Sequence, residues 1–198
     1  MINWFFAFAG VALGFSMAAP PGPINSIIMS RSMKSWAGGV KVGFGAMSAD
    51  LILMSIIFYF DWVLDIQRFI IYVYILGAFL FAYIGIKIRF GVSTGYAVES
   101  VWTRGYFTGL TVGLMNPYQI AWWLTAGSSV YESTGIMLFI FFFMGIVGWI
   151  LFITTLISYS YTRIGEKMDI YIRDFSFIVL LLFSGFFLFD ALSTIGVI

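Results

Sequence analysis

The chain has no cysteine and no histidine among its 198 residues. Thiol redox chemistry, haem attachment, the usual zinc sites and every imidazole acid–base scheme are therefore excluded. Charge is nearly as scarce: 10 Lys and Arg and 9 Asp and Glu make up 10% of the residues, against about 25% in an ordinary soluble domain. So few charges cannot cover the surface of a water-soluble protein of this size, and a net charge of +1 gives nucleic acid nothing to bind. Proline occurs only four times, three of them within Pro20–Pro23.

What is abundant is apolar: 62% of the residues are hydrophobic and 21% aromatic. Apolar runs recur at Trp4–Ser30, Trp36–Phe60, Phe69–Ile88, Phe107–Tyr131, Gly135–Tyr159 and Tyr171–Ile195. Each is long enough to cross a ~30 Å hydrocarbon layer as a helix. The expected fold is an all-α integral membrane protein with six transmembrane helices in a single domain over 1–198, with no room for a soluble catalytic domain. The first run is too long for a signal-peptide core and no Lys or Arg precedes it, so it is expected to stay in the mature protein. Only Glu132, Ser133 and Thr134 separate spans four and five, which requires a tight turn.

Lys and Arg accumulate in cytoplasmic loops. Here Arg31, Lys34, Lys41, Lys87, Arg89, Arg104, Arg163, Lys167 and Arg173 fall to the connectors after spans one, three and five, and only Arg68 to the other side. Both termini are thus expected outside the cytoplasm, together with Asp61, Asp65 and Glu132. Trp4 and Trp62 would mark the outer interface, Trp36 and Trp102 the inner one, and Trp122, Trp123 and Trp149 would pack more deeply. The mixed-sign run Arg163–Asp174 reads as a solvated cytoplasmic turn, and Asp190 as an interfacial, solvated carboxylate.

The two halves are weakly alike. Gly14-Phe15-Ser16-Met17 resembles Gly109-Leu110-Thr111-Val112, each followed by a proline break, and Gly77–Phe81 resembles Gly185–Phe189. Three spans per half is an odd number, so two inverted repeats are expected, about 1–90 and 105–198. Helices 1 and 4 should be broken near mid-membrane. Pro20-Pro21-Gly22-Pro23 removes backbone donors and cannot continue a helix, and it lies roughly 8–11 residues, or ~12–16 Å, from Arg31. Irregular backbone at that depth must be buried in protein or line a cavity.

Past the first break, the N–H groups of Ile24, Asn25 and Ser26 open a half-helix whose positive end can hold a carboxylate. Asn116-Pro117 is the companion break, with Tyr118 and Gln119 opening the second half-helix. The candidate substrate-binding residues are therefore Pro21, Gly22, Pro23, Ile24, Asn25, Ser26, Asn116, Pro117, Tyr118 and Gln119. Asp50 lies near the middle of its span, where a carboxylate must be protonated, solvated by a cavity or paired. Gly43, Met47, Asp50 and Met54 share one helical face, which makes Asp50 the candidate for proton coupling or for holding a substrate ammonium. The repeats Gly39/Gly43 and Gly105/Gly109/Gly113 have the spacing of close helix packing.

Taken in order, Gly14–Pro23, Ser48-Ala49-Asp50, Gly77–Lys87 and Gly109–Pro117 resemble the lysine exporter (LysE) superfamily and its homoserine/threonine-resistance branch. The resemblance covers the whole chain in length and span order. It implies export of an amino acid or similar small zwitterion from the cytoplasm, driven by an ion gradient. Relatives in the wider superfamily that move electrons use paired cysteines, which this chain lacks. The alternatives are a divalent-cation exporter, for which one mid-span Asp is too few hard ligands, an enzyme, for which no nucleophile and base are present, and a non-transporting scaffold. The chain is read as no enzyme, with no cofactor and no metal. Its partners would be a small amino-acid-like molecule and the lipid bilayer, with a homo-oligomer left open.

Overall fold

A computed structural model of the chain describes residues 4–60, 66–90, 98–127, 130–131 and 134–194. Every element among them is helical: α1 (Trp4–Ala18), α2 (Pro23–Lys34), α3 (Trp36–Phe60), α4 (Ile66–Phe90), α5 (Val98–Leu114), α6 (Pro117–Trp122) running into a π-helical turn at Trp123–Gly127, α7 (Ile136–Ile164) and α8 (Glu166–Thr194). Apolar runs of this length form helices because a backbone in hydrocarbon has to satisfy its own hydrogen bonds. Four helices, α3, α4, α7 and α8, are long and apolar enough to cross a membrane, and α1 with α2 makes a fifth if the pair, bent by 81°, is taken as one span. Phe8, Phe79, Ile140, Phe152 and Leu182 are each more than half exposed, an outward apolar surface suited to lipid rather than water.

The break expected at Pro20–Pro23 separates α1 from α2, and that at Asn116–Pro117 separates α5 from α6. The connector expected after span one is almost absent. Arg31 and Lys34 sit in the last turn of α2, where cations suit the helix dipole, and Ser35 alone joins α2 to α3. Lys41, assigned to that connector from the sequence, lies within α3 and is buried. Gly135 and Gly165, with φ of 71° and 70°, flank α7 in the left-handed region open to glycine. Asp61, Trp62, Asp65, Glu132 and Ser133, and the side chains of Arg68, Trp102 and Arg104, lie outside the described residues. Trp4 and Trp36 are exposed, and Trp36 Nε1 donates to Thr155 Oγ1 at 3.0 Å.

The run Arg163–Asp174 is not a solvated turn. It is helical on both sides of Gly165, and it ties down the end of α4. Arg173 donates through Nε to the Ile88 carbonyl at 3.0 Å and through Nη2 to that of Arg89 at 2.9 Å, and Arg89 pairs with Asp174 at 2.5 Å. The last carbonyls of a helix have no partner within it, and a guanidinium is a natural one. Asp190 is partly buried rather than fully solvated.

Three long helix pairs build the bundle: α1 along α7, α3 along α5 and α4 along α8, with α2 in the middle against α3, α5, α7 and α8. Glycine lets two of these pairs close up. A Cβ on Gly14 would strike the Phe142 carbonyl and one on Gly145 that of Val11; a Cβ on Gly109 would strike the Val42 carbonyl and one on Gly45 that of Tyr106. Small residues at such crossings bring backbones into van der Waals contact, the main source of helix association where no water is expelled. Gly77 similarly meets the Met115 carbonyl and Phe187, whereas Gly185, its match in the sequence, faces open space. Two buried apolar clusters result. One gathers around Ile28, Phe81, Leu180 and Phe187, the other around Trp123, Phe139, Phe142, Ile146 and Ile150.

Candidate functional site

At the first break, three prolines leave the carbonyls of α1 without following N–H partners. Asn25 meets this need from the far side: its Nδ2 donates to the Ala18 and Pro20 carbonyls, both at 2.7 Å, and its Oδ1 accepts from Trp149 Nε1 at 3.0 Å. Gly22, extended at φ −166°, precedes Pro23 without a side-chain cap. Ser26 N–H already bonds the Gly22 carbonyl at 2.9 Å, so the open donors are those of Ile24 and Asn25, with no acceptor among the described residues. The Ser26 hydroxyl is fully buried and likewise has no partner among them.

The second break is closed in a different way. Asn116 Oδ1 accepts from Tyr118 N–H at 3.2 Å, and its carbonyl accepts from Gln119 and Ile120 N–H, both at 3.1 Å. Pro117 has no N–H, so the start of α6 presents no open backbone donor. A short anion therefore has an uncapped helix end at α2 and a capped one at α6.

Asp50 is 5% exposed. Gln119 Nε2 and Trp123 Nε1 both donate to its Oδ1 at 2.7 Å, so α6 and the π turn hold the carboxylate in place and leave Oδ2 outside those two bonds. Trp123 was expected only to pack, and nothing in its position along the sequence distinguished it from the other interior rings. Two extra donors on a buried carboxylate offset part of its desolvation.

A cavity of about 240 Å³ lies between the two breaks. Of the residues singled out from the sequence, Pro21, Gly22, Pro23, Ile24, Asn25, Asp50, Asn116, Tyr118 and Gln119 line it, and Ser26 and Pro117 do not. Gly43 and Met47 share the wall with Asp50, while Met54 packs into the apolar cluster instead. Sequence reasoning missed Met17, Trp122, Trp149, Ile146 and Ile150, apolar wall residues that look like any other core positions until the helices are assembled. Among the described residues lining the cavity, Asp50 is the one acidic side chain, and no Lys or Arg faces it.

A family described as LysE type translocator has a model that matches residues 15–191. A protein of Bacillus subtilis (strain 168), named "Putative amino acid efflux protein YcgF", is 28% identical over 132 residues, which is 63% of this chain and 63% of that protein. The match thus spans less than two thirds of that relative's length. No solved structure matches the chain.

Proposed function

Because the chain belongs to the LysE type translocator family, we propose that it is a secondary active transporter that exports an amino acid or similar small zwitterion across the cytoplasmic membrane against entry of protons. The observation that carries the reading is the cavity enclosed by the two helix breaks and Asp50. A scaffold would need kinks that pack shut, and this bundle keeps an opening where they meet.

In the arrangement we infer, α1 with α2 forms span one and α5, α6 and the π turn form span four, giving six spans in one domain. Two inverted repeats, about 1–90 and 105–198, are supported by how the close crossings interchange. Gly14 and Gly109 are 95 positions apart, as are Val11 and Tyr106, while Gly45 and Gly145 are 100 apart, as are Val42 and Phe142. The α1–α7 and α3–α5 pairs thus use equivalent glycines against equivalent carbonyls, as a two-fold axis in the membrane plane requires. With Lys41 set aside inside α3, the count of eight basic residues to one supports both termini lying outside the cytoplasm.

The chemistry follows from two ends of one cavity. The substrate carboxylate would take the open N–H groups of Ile24 and Asn25 at the positive end of α2. Its ammonium would take Oδ2 of Asp50, with Gln119 and Trp123 fixing the other oxygen. A bare carboxylate in this apolar setting is unfavourable by several kcal/mol, so Asp50 holds either an ammonium or a proton. Substrate leaves to the outside as a proton arrives, and the proton is released inside as the next substrate binds. Alternating access would then rock one repeat against the other around a fixed site.

The test is counterflow with the purified full chain in liposomes, preloaded with single unlabelled amino acids and supplied outside with the same labelled one. Accumulation above protein-free liposomes for at least one amino acid is expected. Failure with every amino acid would overturn the reading.

A further inference from the structure

We propose that the side chain this site accepts is uncharged and aliphatic, about the bulk of leucine or methionine; the inference rests on the zwitterion reading above. The charged inventory of the cavity is complete once the backbone charges of an amino acid are placed. Asp50 takes the ammonium and the α2 end takes the carboxylate, and among the described residues no second acid and no Lys or Arg faces the remaining space. A third charge, as on lysine or glutamate, would sit desolvated and unpaired.

Apart from Asn116 and Tyr118, the remaining wall is apolar on both sides. Met17, Met47, Trp122, Ile146 and Ile150 come from the cluster around Phe142, and Ile24, Ile28 and Phe183 from the cluster around Phe81. The cavity opens at the seam between them. Trp122 is fixed by stacking on Phe142, with centroids 5.4 Å apart and planes 18° from parallel, and by an edge contact with Trp123 at 5.0 Å. Met17 and Met47 are the adaptable part, unbranched and polarizable, and they can follow branched or straight aliphatic chains. Gly43 lets Ile150 close against α3: a Cβ there would lie 2.5 Å from Ile150 Cγ2. At about 240 Å³ the space falls below the ~300–1,000 Å³ usual for drug-sized ligands, which suits one small amino acid.

In an apolar pocket each methylene is worth roughly 10–200-fold in selectivity. The experiment is uptake of labelled L-leucine into liposomes containing the full chain and preloaded with a single unlabelled amino acid. Leucine, isoleucine and methionine inside should drive uptake at least about tenfold faster than alanine, lysine or glutamate. Lysine, glutamate or alanine driving it as fast as leucine would overturn the aliphatic assignment while leaving the transport reading intact. No leucine uptake with any amino acid inside, while another amino acid exchanges for itself in the counterflow test above, would likewise overturn the aliphatic assignment; absence of self-exchange for every amino acid would instead sink the transport reading itself. A second measurement uses Ile150→Ala, which enlarges the wall beside Gly43. The ratio of phenylalanine to leucine counterflow should rise about tenfold, and an unchanged ratio would show that the substrate side chain does not lie against this wall, overturning the proposal.

Discussion

Asn25 and Gln119 hold the same place in two half-helices, each the third residue of a helix that begins at a proline. Their side chains do different things there. Asn25 turns back onto its own break, gathering the Ala18 and Pro20 carbonyls and the Trp149 indole. Gln119 reaches across to α3 and fixes Asp50. One break is thus built to stay open at its backbone donors, and the other to position a carboxylate.

The role of Asn25 can be tested by charge without change of size. Asn25→Asp replaces a donor aimed at two carbonyl oxygens with an acceptor, and Asn25→Ala leaves both carbonyls and the Trp149 N–H unmet. Each should lower stability in detergent by about 1–3 kcal/mol, read as a drop in thermal midpoint. An Asp variant as stable as the parent would mean that the break is held by something else.

The glycine crossings make a sharper contrast. A Cβ on Gly109 meets the backbone of Val42, which cannot rotate away, whereas Gly185 faces nothing within 4 Å. Gly109→Ala should destabilise the protein by about 1–3 kcal/mol, and Gly185→Ala should stay within ~0.5 kcal/mol of the parent. Size-exclusion profiles after stepwise heating would report both. Equal behaviour of the two variants would remove the close-approach explanation of the α3–α5 pair.

The helices and both breaks were legible in the sequence, because long apolar runs and clustered prolines act locally. Asp50 stood out for the same reason: a mid-span carboxylate is conspicuous wherever it packs. Trp123 and Met17 were not legible, since their roles depend on which helix lies opposite. Arg173 was hidden in a mixed-charge run, and its purpose shows only when the end of α4 is brought beside it. The Ser26 N–H was expected to be open, but the turn at Gly22 takes it, a detail set by backbone geometry rather than by residue type.

The proposed membrane orientation rests on the loop charges. If the chain has six spans both termini lie on one side, and eight basic residues against one, with Lys41 set aside inside α3, argue that this side is away from the cytoplasm. Periplasm-active phosphatase fused to either end of the chain should be active, and a cytoplasm-active fluorescent reporter dark. The reverse pattern at either end would overturn the six-span arrangement.

The last prediction joins fold to mechanism at Asp50. Asp50→Asn keeps the oxygen that Gln119 and Trp123 bind, so the variant should fold and keep the parent's stability within about 1 kcal/mol. It removes the ability to take up or release a proton. If Asp50 alternates between proton and ammonium, an imposed pH gradient should no longer accelerate substrate movement, and the transport rate should lose its dependence on pH. Exchange down a substrate gradient should persist at a reduced rate, because the uncapped end of α2 is untouched. The sign is fixed by the antiport scheme: in the parent, acidifying the side to which substrate is released should speed its release, by supplying the proton that replaces the ammonium. Measured in liposomes with the gradient imposed by dilution, a variant that still concentrates substrate as well as the parent would make Asp50 a packing residue and place the coupling elsewhere.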